Sequence, residues 1–275
     1  MGLLNHLTYD GVDSSSFGVF ISGDGVFDAP ARRGEMISIP GRNGSLFMDE
    51  GVFENITVEY PAFIGTGYEA LFRRKLGDLR SWLSSRGNYK RLTDTYHPDE
   101  FRLGVFREGL EVDPQYITRA GKFTMKFDCK PQRFLISGED SVFFAVNGII
   151  VNPTLFQSSP IIKVTGNGTV AIGDNGKYRF IVSNNPGTIT IDTEIMEAYL
   201  PAGVLYPWTD ENGNQIDQEI GIGLELLDGI EFPENMLGHI EFINSVMPKI
   251  DPGEQPVRMS QTITMLEIIP RWWRL

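Results

Sequence analysis

The sequence contains one cysteine, three histidines and no long hydrophobic run, and each shortage excludes a class of protein. Cys129 is alone, so no intrachain disulfide and no thiol-rich metal site is possible. His6, His97 and His239 are far apart and lack the spacing of a zinc motif. No stretch approaches the roughly 18 apolar residues of a transmembrane helix, so membrane insertion is not expected.

Positive charge is scarce in the second half of the chain. Residues 1–133 hold 17 Lys and Arg against 18 Asp and Glu, whereas residues 134–275 hold seven against 18. The net charge of −12 therefore divides into −1 and −11. An acidic surface repels nucleic acid and anionic polymers at low salt, so the second half is not expected to bind DNA.

Glycine and proline, by contrast, are abundant, with 30 and 16 residues, and they indicate a chain with many turns. The length of 275 residues is typical of two domains. We predict a mainly β protein with one principal helix. Residues 1–133 form an α+β domain, and residues 134–275 form an antiparallel β-sandwich of short strands separated by Gly and Asn turns.

A predicted hairpin at residues 37–60 is the most distinctive element of the first domain. Its arms are residues 36–39 and 52–60, with Val52, Ile56, Val58 and Tyr60 on one face. The turn between the arms contains two glycines that tolerate positive φ and consists of Pro40, Gly41, Arg42, Asn43 and Gly44. Arg42 and Asn43 lie at the tip, where they can reach another chain. An ordinary surface hairpin is the alternative.

The predicted helix covers residues 66–86. Its apolar stripe is formed by Phe72, Leu76, Leu79 and Leu83. Thr66 and Glu69 have the spacing of a capping box, and Gly87 is expected to end the helix. The other faces are basic, with Arg73, Arg74, Lys75, Arg80 and Arg86. A solvated or subunit-contacting face is favoured over a DNA-binding one, because Glu69 and Asp78 dilute the charge.

The rest of the sequence predicts short strands and two loops, of which the second protrudes. Cys129 shares the buried parity of Phe123, Met125 and Phe127, which predicts an inert thiol. The further predicted strands are residues 17–22, 89–92, 101–106, 121–129, 161–165, 170–172, 178–183, 188–192, 220–227, 238–244 and 261–269. Residues 28–34 and 208–218 are predicted loops.

Catalytic and metal-binding motifs are not found. A nucleophile elbow and a Walker A loop are both missing from the sequence. The segment 210–217 begins like a calcium loop, but Gln215 and Gly221 occupy the positions that require glycine and a carboxylate, which favours a polar hairpin tip. We expect no enzyme activity, no metal and no cofactor.

Two glycan-related alternatives stay open. Four carboxylates of the second half can supply a glycosidase pair, namely Asp192, Glu194, Glu225 and Glu231. Three aromatic residues can stack on sugars, namely Tyr199, Tyr206 and Trp208. The first set corresponds to a glycan-degrading enzyme, and the second to a carbohydrate-binding module or adhesin that recognises host cell-wall glycans.

Several motifs, in order along the chain, resemble the distal tail proteins of long-tailed, non-contractile bacteriophages. The segment IPGRNGSL is followed by Asp49-Glu50-Gly51. Later matches in the first half are Trp82-Leu83-Ser84, Arg91-Leu92 and Phe127-Asp128-Cys129-Lys130-Pro131. Matches in the second half are Asn152-Pro153-Thr154, residues 159–168, residues 189–194 and Pro270-Arg271-Trp272-Trp273. The resemblance covers nearly the whole chain.

This resemblance implies a structural protein of a phage or prophage virion. The first domain forms a homohexameric ring at the distal end of the tail tube, and DNA passes through it without specific binding. A galectin-like β-sandwich lies outside the ring as the second domain. The implied partners are the tail tube protein, a tail-associated lysin or fibre hub, and receptor-binding proteins. The implied location is the tail tip, after assembly in the cytoplasm of the bacterial host.

The residues predicted to make the ring contacts combine the hairpin tip with the helix. They are Pro40, Gly41, Arg42, Asn43, Gly44, Arg73, Arg74 and Trp82.

Overall fold

The computed structural model consists mainly of antiparallel β-sheets. It describes residues 4–23, 26–66, 68–85, 87–115, 120–185, 187–200, 207–209, 215–217, 240–243 and 246–275. The chain divides into two compact units, residues 1–136 with Leu275, and Ser137–Arg274. One α-helix occurs within the described residues. The predicted fold class, mainly β with one principal helix, is confirmed.

The first unit is a twisted antiparallel sheet with the helix packed on it. Its elements are β1 (Leu7–Tyr9), β2 (Val12–Asp13), β3 (Val19–Ile21), β4 (Arg32–Ser38), β5 (Ser45–Phe53), β6 (Ile56–Gly65), α1 (Glu69–Ser84), β7 (Lys90–Asp94), β8 (Glu100–Val105), β9 (Asp113–Gln115) and β10 (Ala120–Leu135). The strand order is β2-β1-β7-β8-β10-β6-β3, with β9 also on β10. A separate two-stranded sheet contains β4 and β5.

Strict alternation along β6 and β10 creates the core of this unit. Tyr60 lies opposite Met125, and Val58 lies opposite Phe127, and all four side chains are buried. Because neighbouring side chains point to opposite faces, the residues between them are left on the other side of the sheet. Cys129 continues the buried series, as predicted. Burial of the apolar side chains supplies the main driving force for this packing.

The strand boundaries near the hairpin correct the sequence prediction. Residues 28–34 are not all loop, because β4 begins at Arg32. The single arm predicted at residues 52–60 is wrong, since β5 ends at Phe53 and β6 begins at Ile56. Val52 is consequently exposed on β5 rather than buried beside Val58. The predicted strand 17–22 shortens to β3 because Ser14–Phe17 forms a 3-10 turn.

The helix is shorter at both ends than predicted. It begins at Glu69 after Tyr68, which gives no side-chain cap. The capping box is wrong because the Glu69 carboxylate accepts from Arg73, and the Thr66 hydroxyl donates to the Tyr68 carbonyl. The helix ends at Ser84, before Gly87. Its buried face contains Phe72, Leu79, Trp82 and Leu83, with Leu76 partly buried.

The second unit is built from two five-stranded antiparallel sheets, in agreement with the predicted sandwich. Their strands are β11 (Val142–Phe144), β12 (Gly148–Asn152), β13 (Ile161–Gly166), β14 (Gly168–Ile172), β15 (Tyr178–Val182), β16 (Thr188–Asp192), β17 (Glu197–Tyr199), β20 (Ile240–Phe242), β21 (Gly253–Met259) and β22 (Ile263–Ile269). One sheet has the order β11-β22-β13-β16-β17 and the other β12-β21-β14-β15-β20. The short strands β18 (Pro207–Thr209), β19 (Gln215–Asp217) and β23 (Trp273–Arg274) lie outside these two sheets.

Alternation again selects the buried side chains of both sheets. Ile162 and Val164 on β13 are fully buried, as are Ile189 and Ile191 on the neighbouring β16. Phe180 on β15 is buried within the other sheet. The predicted loop at 208–218 contains two paired strands, β18 and β19. The strand predicted at 220–227 lies outside the described residues.

Candidate assembly surface

The hairpin of β4 and β5, hereafter the assembly hairpin, is closed by the predicted turn. Gly41 and Gly44 have φ of 79° and 80°, values that a side chain with a Cβ disfavours. The backbone N–H of Arg42 donates to the Ile39 carbonyl at 3.2 Å. The tip residues 40–44 are all exposed. The structure thus places Arg42 and Asn43 at the exposed end of a strand pair.

Both faces of the assembly hairpin carry exposed apolar side chains. On one face Met36 lies opposite Phe47, and these residues are 65% and 42% exposed. On the other face Ile37 lies opposite Leu46, beside Met48. A two-stranded hairpin is marginally stable alone in water, and contiguous exposed apolar surface usually marks an interaction site. Both properties make this hairpin a candidate contact surface.

The base of the hairpin is held by charge pairs. Arg32 bonds the Asp49 carboxylate and lies over the Phe53 ring, 4.8 Å from its centroid. Arg33 Nε lies 3.0 Å from a Glu50 oxygen. The Gly51 N–H and then Arg32 stabilise the Asp49 carboxylate, which lowers its pKa. These exposed pairs add little stability, but they orient the two strands.

The helix contributes an exposed basic face near its N-terminal half. Arg73 is paired with Glu69 one turn earlier, and Arg74 is exposed. Trp82 is different, because it is only 8% exposed. Its ring stacks on Phe17 with centroids 4.9 Å apart and meets Tyr9 edge-on at 6.1 Å. Trp82 therefore belongs to the core, and we leave it out of the candidate surface.

The single thiol lies in an unreactive environment. Burial raises the pKa of Cys129 to about 12, against the opposing influence of Arg102. At neutral pH the group is therefore protonated, and a protonated thiol is a poor nucleophile. The predicted burial of Cys129 is confirmed, and its inertness stays a prediction.

Other candidate chemical groups have structural partners. His6 lies 3.1 Å from Asp13, and His97 lies 3.1 Å from Asp94. The described part of the chain contains no group of three or more potential metal ligands. Within the same residues no helix is long and apolar enough to cross a membrane.

Only part of each glycan-related set lies within the described residues. Asp192 accepts two hydrogen bonds from Arg271, which also approaches Glu194. Glu225 and Glu231 lie outside the described part of the chain. Tyr199 is 43% exposed, whereas Tyr206 and the side chain of Trp208 are not described.

The pair of Arg271 with Asp192 was missed by sequence reasoning, although both residues lie in motifs that were singled out. Arg271 Nη1 and Nη2 lie 2.7 and 2.5 Å from the two carboxylate oxygens. This bidentate contact fixes the segment 270–273, named here the C-terminal clasp, to the end of β16. Nearby, Trp273 stacks on Phe156 and donates to the Gln157 carbonyl.

Comparison with known proteins gives one family match. Residues 12–129 match the model of the phage tail protein RIFT-related domain. This range contains the assembly hairpin and the helix. No curated protein sequence matches the chain.

Solved structures resemble the chain over its full length. The Dit (gp 19.1) protein of phage SPP1, described as a hub of the adsorption apparatus in phages infecting Gram-positive bacteria, has a TM-score of 0.66 at 16% identity. The match covers 99% of this chain and 100% of that one. A chain of the phage p2 baseplate in its activated conformation with Sr has a TM-score of 0.53 at 8% identity, covering 100% and 99%. The corresponding calcium form gives 0.51 at 9%, covering 98% of each chain.

Proposed function

We propose that this chain, which carries a phage tail protein RIFT-related domain and has the fold of a distal tail protein, forms the homohexameric ring at the distal end of a phage tail tube. The family match and the baseplate likenesses support a structural role in a phage tail. The resemblance indicated by the sequence motifs is thereby confirmed. The ring, its partners and the passage of DNA are the proposal.

The observation that carries the ring is the assembly hairpin. It forms a sheet of its own, and its apolar side chains on both faces are exposed in the single subunit. A protruding element that docks on a different surface of an identical subunit makes a heterologous contact, and such contacts close into rings when the rotation permits. The contact covers apolar surface and restricts a hairpin that is weakly held by itself.

The proposed ring domain is residues 1–133, with the hairpin tip and the exposed Arg73 and Arg74 as contact surfaces. Residues 134–275 face outward and dock receptor-binding proteins, while the ring joins the tail tube protein and a tail-associated lysin or fibre hub. DNA passes through the ring without specific contacts. The protein is assembled in the host cytoplasm and resides at the virion tail tip. It has no enzymatic role in this proposal.

The ring is tested with the purified full chain by light scattering and negative-stain imaging. We expect particles of six times the subunit mass with an open centre. The double variant Arg42→Asp with Asn43→Asp places two carboxylates at the hairpin tip and should reduce rings to single subunits. The variant Arg179→Asp with Asn184→Asp makes the same charge change at exposed positions of the second unit and should leave the rings intact.

Three outcomes separate the possibilities. Unchanged rings in the Arg42 and Asn43 variant would remove the tip from the contact. Equal loss of rings in the control variant would assign the effect to charge in general. A wild-type chain that stays monomeric, both alone and when mixed with isolated tails lacking this protein, would contradict the ring itself.

A further inference from the structure

Two buried arginines hold the segment that leads into the assembly hairpin. This segment, residues 26–31, is named here the entry arm. Arg133 Nη2 donates to the Val26 carbonyl, and Arg102 Nη2 donates to the Asp28 carbonyl at 3.3 Å. Arg102 is 4% exposed and Arg133 is 6% exposed. Both guanidinium groups are therefore spent on the backbone of the entry arm rather than on water.

The burial of these charges is unfavourable in itself. Arg133 Nη1 lies 3.6 Å from Glu100 Oε2, which partly offsets one positive charge. Nε and Nη1 of Arg102 have no hydrogen-bond partner within the described residues. Burial lowers the pKa of Arg102, and the nearby charge of Arg133 lowers it further. Because an apolar side chain of similar size is often tolerated as well or better in such a place, packing alone does not explain Arg102.

The entry arm is joined to the hairpin by a short, stiff connection. Val26 is buried in the core, and the Phe27 ring packs on the His97 ring with centroids 4.9 Å apart. Pro30 fixes its own φ and restricts the residue before it, which leaves few conformations before β4 begins. The direction of the entry arm is therefore passed on to β4.

The other strand of the hairpin is held at the surface. The Glu54 N–H donates to the Ala31 carbonyl at 3.0 Å, which ties the end of β5 to the entry arm. Asn55 Nδ2 lies 2.5 Å from the Tyr89 hydroxyl and 2.9 Å from Asp128 Oδ1. Water competes for the hydrogen bonds of an exposed side chain such as Asn55, so the buried arginine contacts are the firmer restraint on the base of the hairpin.

The length of the hairpin amplifies any change at its base. The nine residues of β5 span about 27 Å at the rise of an antiparallel strand. A swing of about 15° at the base therefore moves the tip by about 7 Å. Apolar side chains are in contact only when their heavy atoms approach within about 4.0–4.5 Å. A swing of this size is thus enough to separate the tip from a surface on which it would otherwise dock.

We infer that Arg102 is a positioning residue, which fixes the direction in which the assembly hairpin leaves the first unit and so determines where its tip meets the next subunit. Arg133 and Glu100 complete this anchor. The two arginines bond backbone carbonyls, so they fix the path of the chain itself. The inference rests on the proposed function, because it concerns how the hairpin is presented to another subunit.

The test measures the direction of the hairpin in single subunits of the full chain. Spin labels are attached at Asn43→Cys on the tip and at Ser81→Cys on an exposed position of the helix, while Arg42→Asp keeps the subunits apart. Cys129 is buried and takes up no label. Pulsed electron paramagnetic resonance gives the distribution of distances between the two labels. We expect a narrow distribution in this protein and a distribution broader by about 5 Å or more when Arg102→Met is added.

Urea unfolding separates positioning from stability. Met fills much of the space of Arg102 without its charge, so Arg102→Met should unfold at nearly the same urea concentration as the wild type. Ile64→Ala creates a cavity at the end of β6 that is far from the hairpin. This control should unfold at a lower urea concentration but keep the narrow distance distribution. With the tip unaltered, Arg102→Met should raise the subunit concentration needed for half-assembly by about tenfold or more, and Ile64→Ala should not.

Two results would overturn the inference. An unchanged distance distribution in Arg102→Met would mean that the hairpin keeps its direction without the anchor. Equal broadening in Ile64→Ala would assign the effect to a general loosening of the first unit. The distances are measured in single subunits, so a wild-type chain that forms no rings would contradict the proposed function and leave the measured direction of the hairpin unaffected.

Discussion

The C-terminal clasp gives the sharpest prediction of stability. Arg271→Ala removes both hydrogen bonds to Asp192 and leaves a carboxylate whose residue is only 7% exposed. Exposed ion pairs contribute about 0–1 kcal/mol, whereas breaking a buried one costs about 3–5 kcal/mol. Because the Arg271 side chain is 22% exposed, the pair lies between these limits. We expect the second unit to lose about 2–3 kcal/mol of unfolding free energy.

A glycine variant separates the contribution of the ion pair to stability from that of the strained backbone. Arg271 has a φ of 54°, in the left-handed region where a side chain costs about 1–2 kcal/mol. Arg271→Gly removes this strain as well as the ion pair, although glycine adds freedom to the unfolded chain. It should therefore be less destabilised than Arg271→Ala, by roughly 0.5–1 kcal/mol. Arg271→Lys keeps the charge without the bidentate geometry and should fall between Arg271→Ala and the wild type.

The same contact predicts a pH dependence. Burial would raise the pKa of Asp192, but the hydrogen bonds and charge of Arg271 outweigh it and hold the pKa below its usual value. A depressed carboxylate pKa stabilises the fold above the unfolded pKa of about 3.9, and that contribution is lost as pH falls through the folded value. The stability difference between the wild type and Asp192→Asn should therefore shrink as pH is lowered below about 4.

The assay is urea unfolding, and the readout at each urea concentration is the hydrogen exchange of the backbone amides in β16 and β22. These strands belong to the second unit, so their exchange reports its unfolding and not that of the first. A loss of less than about 0.5 kcal/mol in Arg271→Ala would refute the stabilising role of the clasp. Equal unfolding free energies for Arg271→Ala and Arg271→Gly would refute the backbone strain at this position.

Three further predictions concern the first unit. Leu46→Lys with Met48→Lys places two charges on one face of the assembly hairpin. This variant should raise the subunit concentration needed for half-assembly, measured by light scattering, by at least about tenfold. The circular dichroism spectrum of the monomer should not change. Trp82→Ala should cost about 3–5 kcal/mol in urea unfolding, because the buried ring leaves a cavity beside Phe17; a loss below about 1 kcal/mol would contradict its place in the core. Cys129 should react with maleimide at pH 8 only after denaturant unfolds the sheet, and rapid labelling of the native chain would contradict its burial.

The local sequence pattern predicted the structure correctly where side chains are buried by contacts within one subunit. The period of two along residues 121–129 predicted the buried face of β10, and the spacing of Phe72, Leu79 and Leu83 predicted the buried face of the helix. Gly41 and Gly44 marked the hairpin turn because only glycine adopts positive φ without a steric cost. The short strands of the second half followed from the same rules.

The local sequence pattern did not predict the structure where the contacting residues are distant in sequence or lie outside the subunit. β4 and β5 expose apolar residues on both faces, so they lack the one-sided alternation by which strands are recognised. Arg271 and Asp192 are 79 residues apart, and no spacing rule connects them. The capping box failed for a different, local reason: the Glu69 carboxylate accepts from Arg73 one turn later in the helix, and the Thr66 hydroxyl donates to the Tyr68 carbonyl.

The two-sided assembly hairpin also determines how the proposed ring is completed. In an open arc of subunits, one terminal hairpin remains exposed to water on both faces. Closing the arc adds one more contact between ends that already belong to the same particle, so no further translational freedom is lost. Partial arcs are therefore sparsely populated beside free subunits and closed rings. The exposed apolar surface of the assembly hairpin, which favours association of free subunits, thus also limits the finished ring to one size.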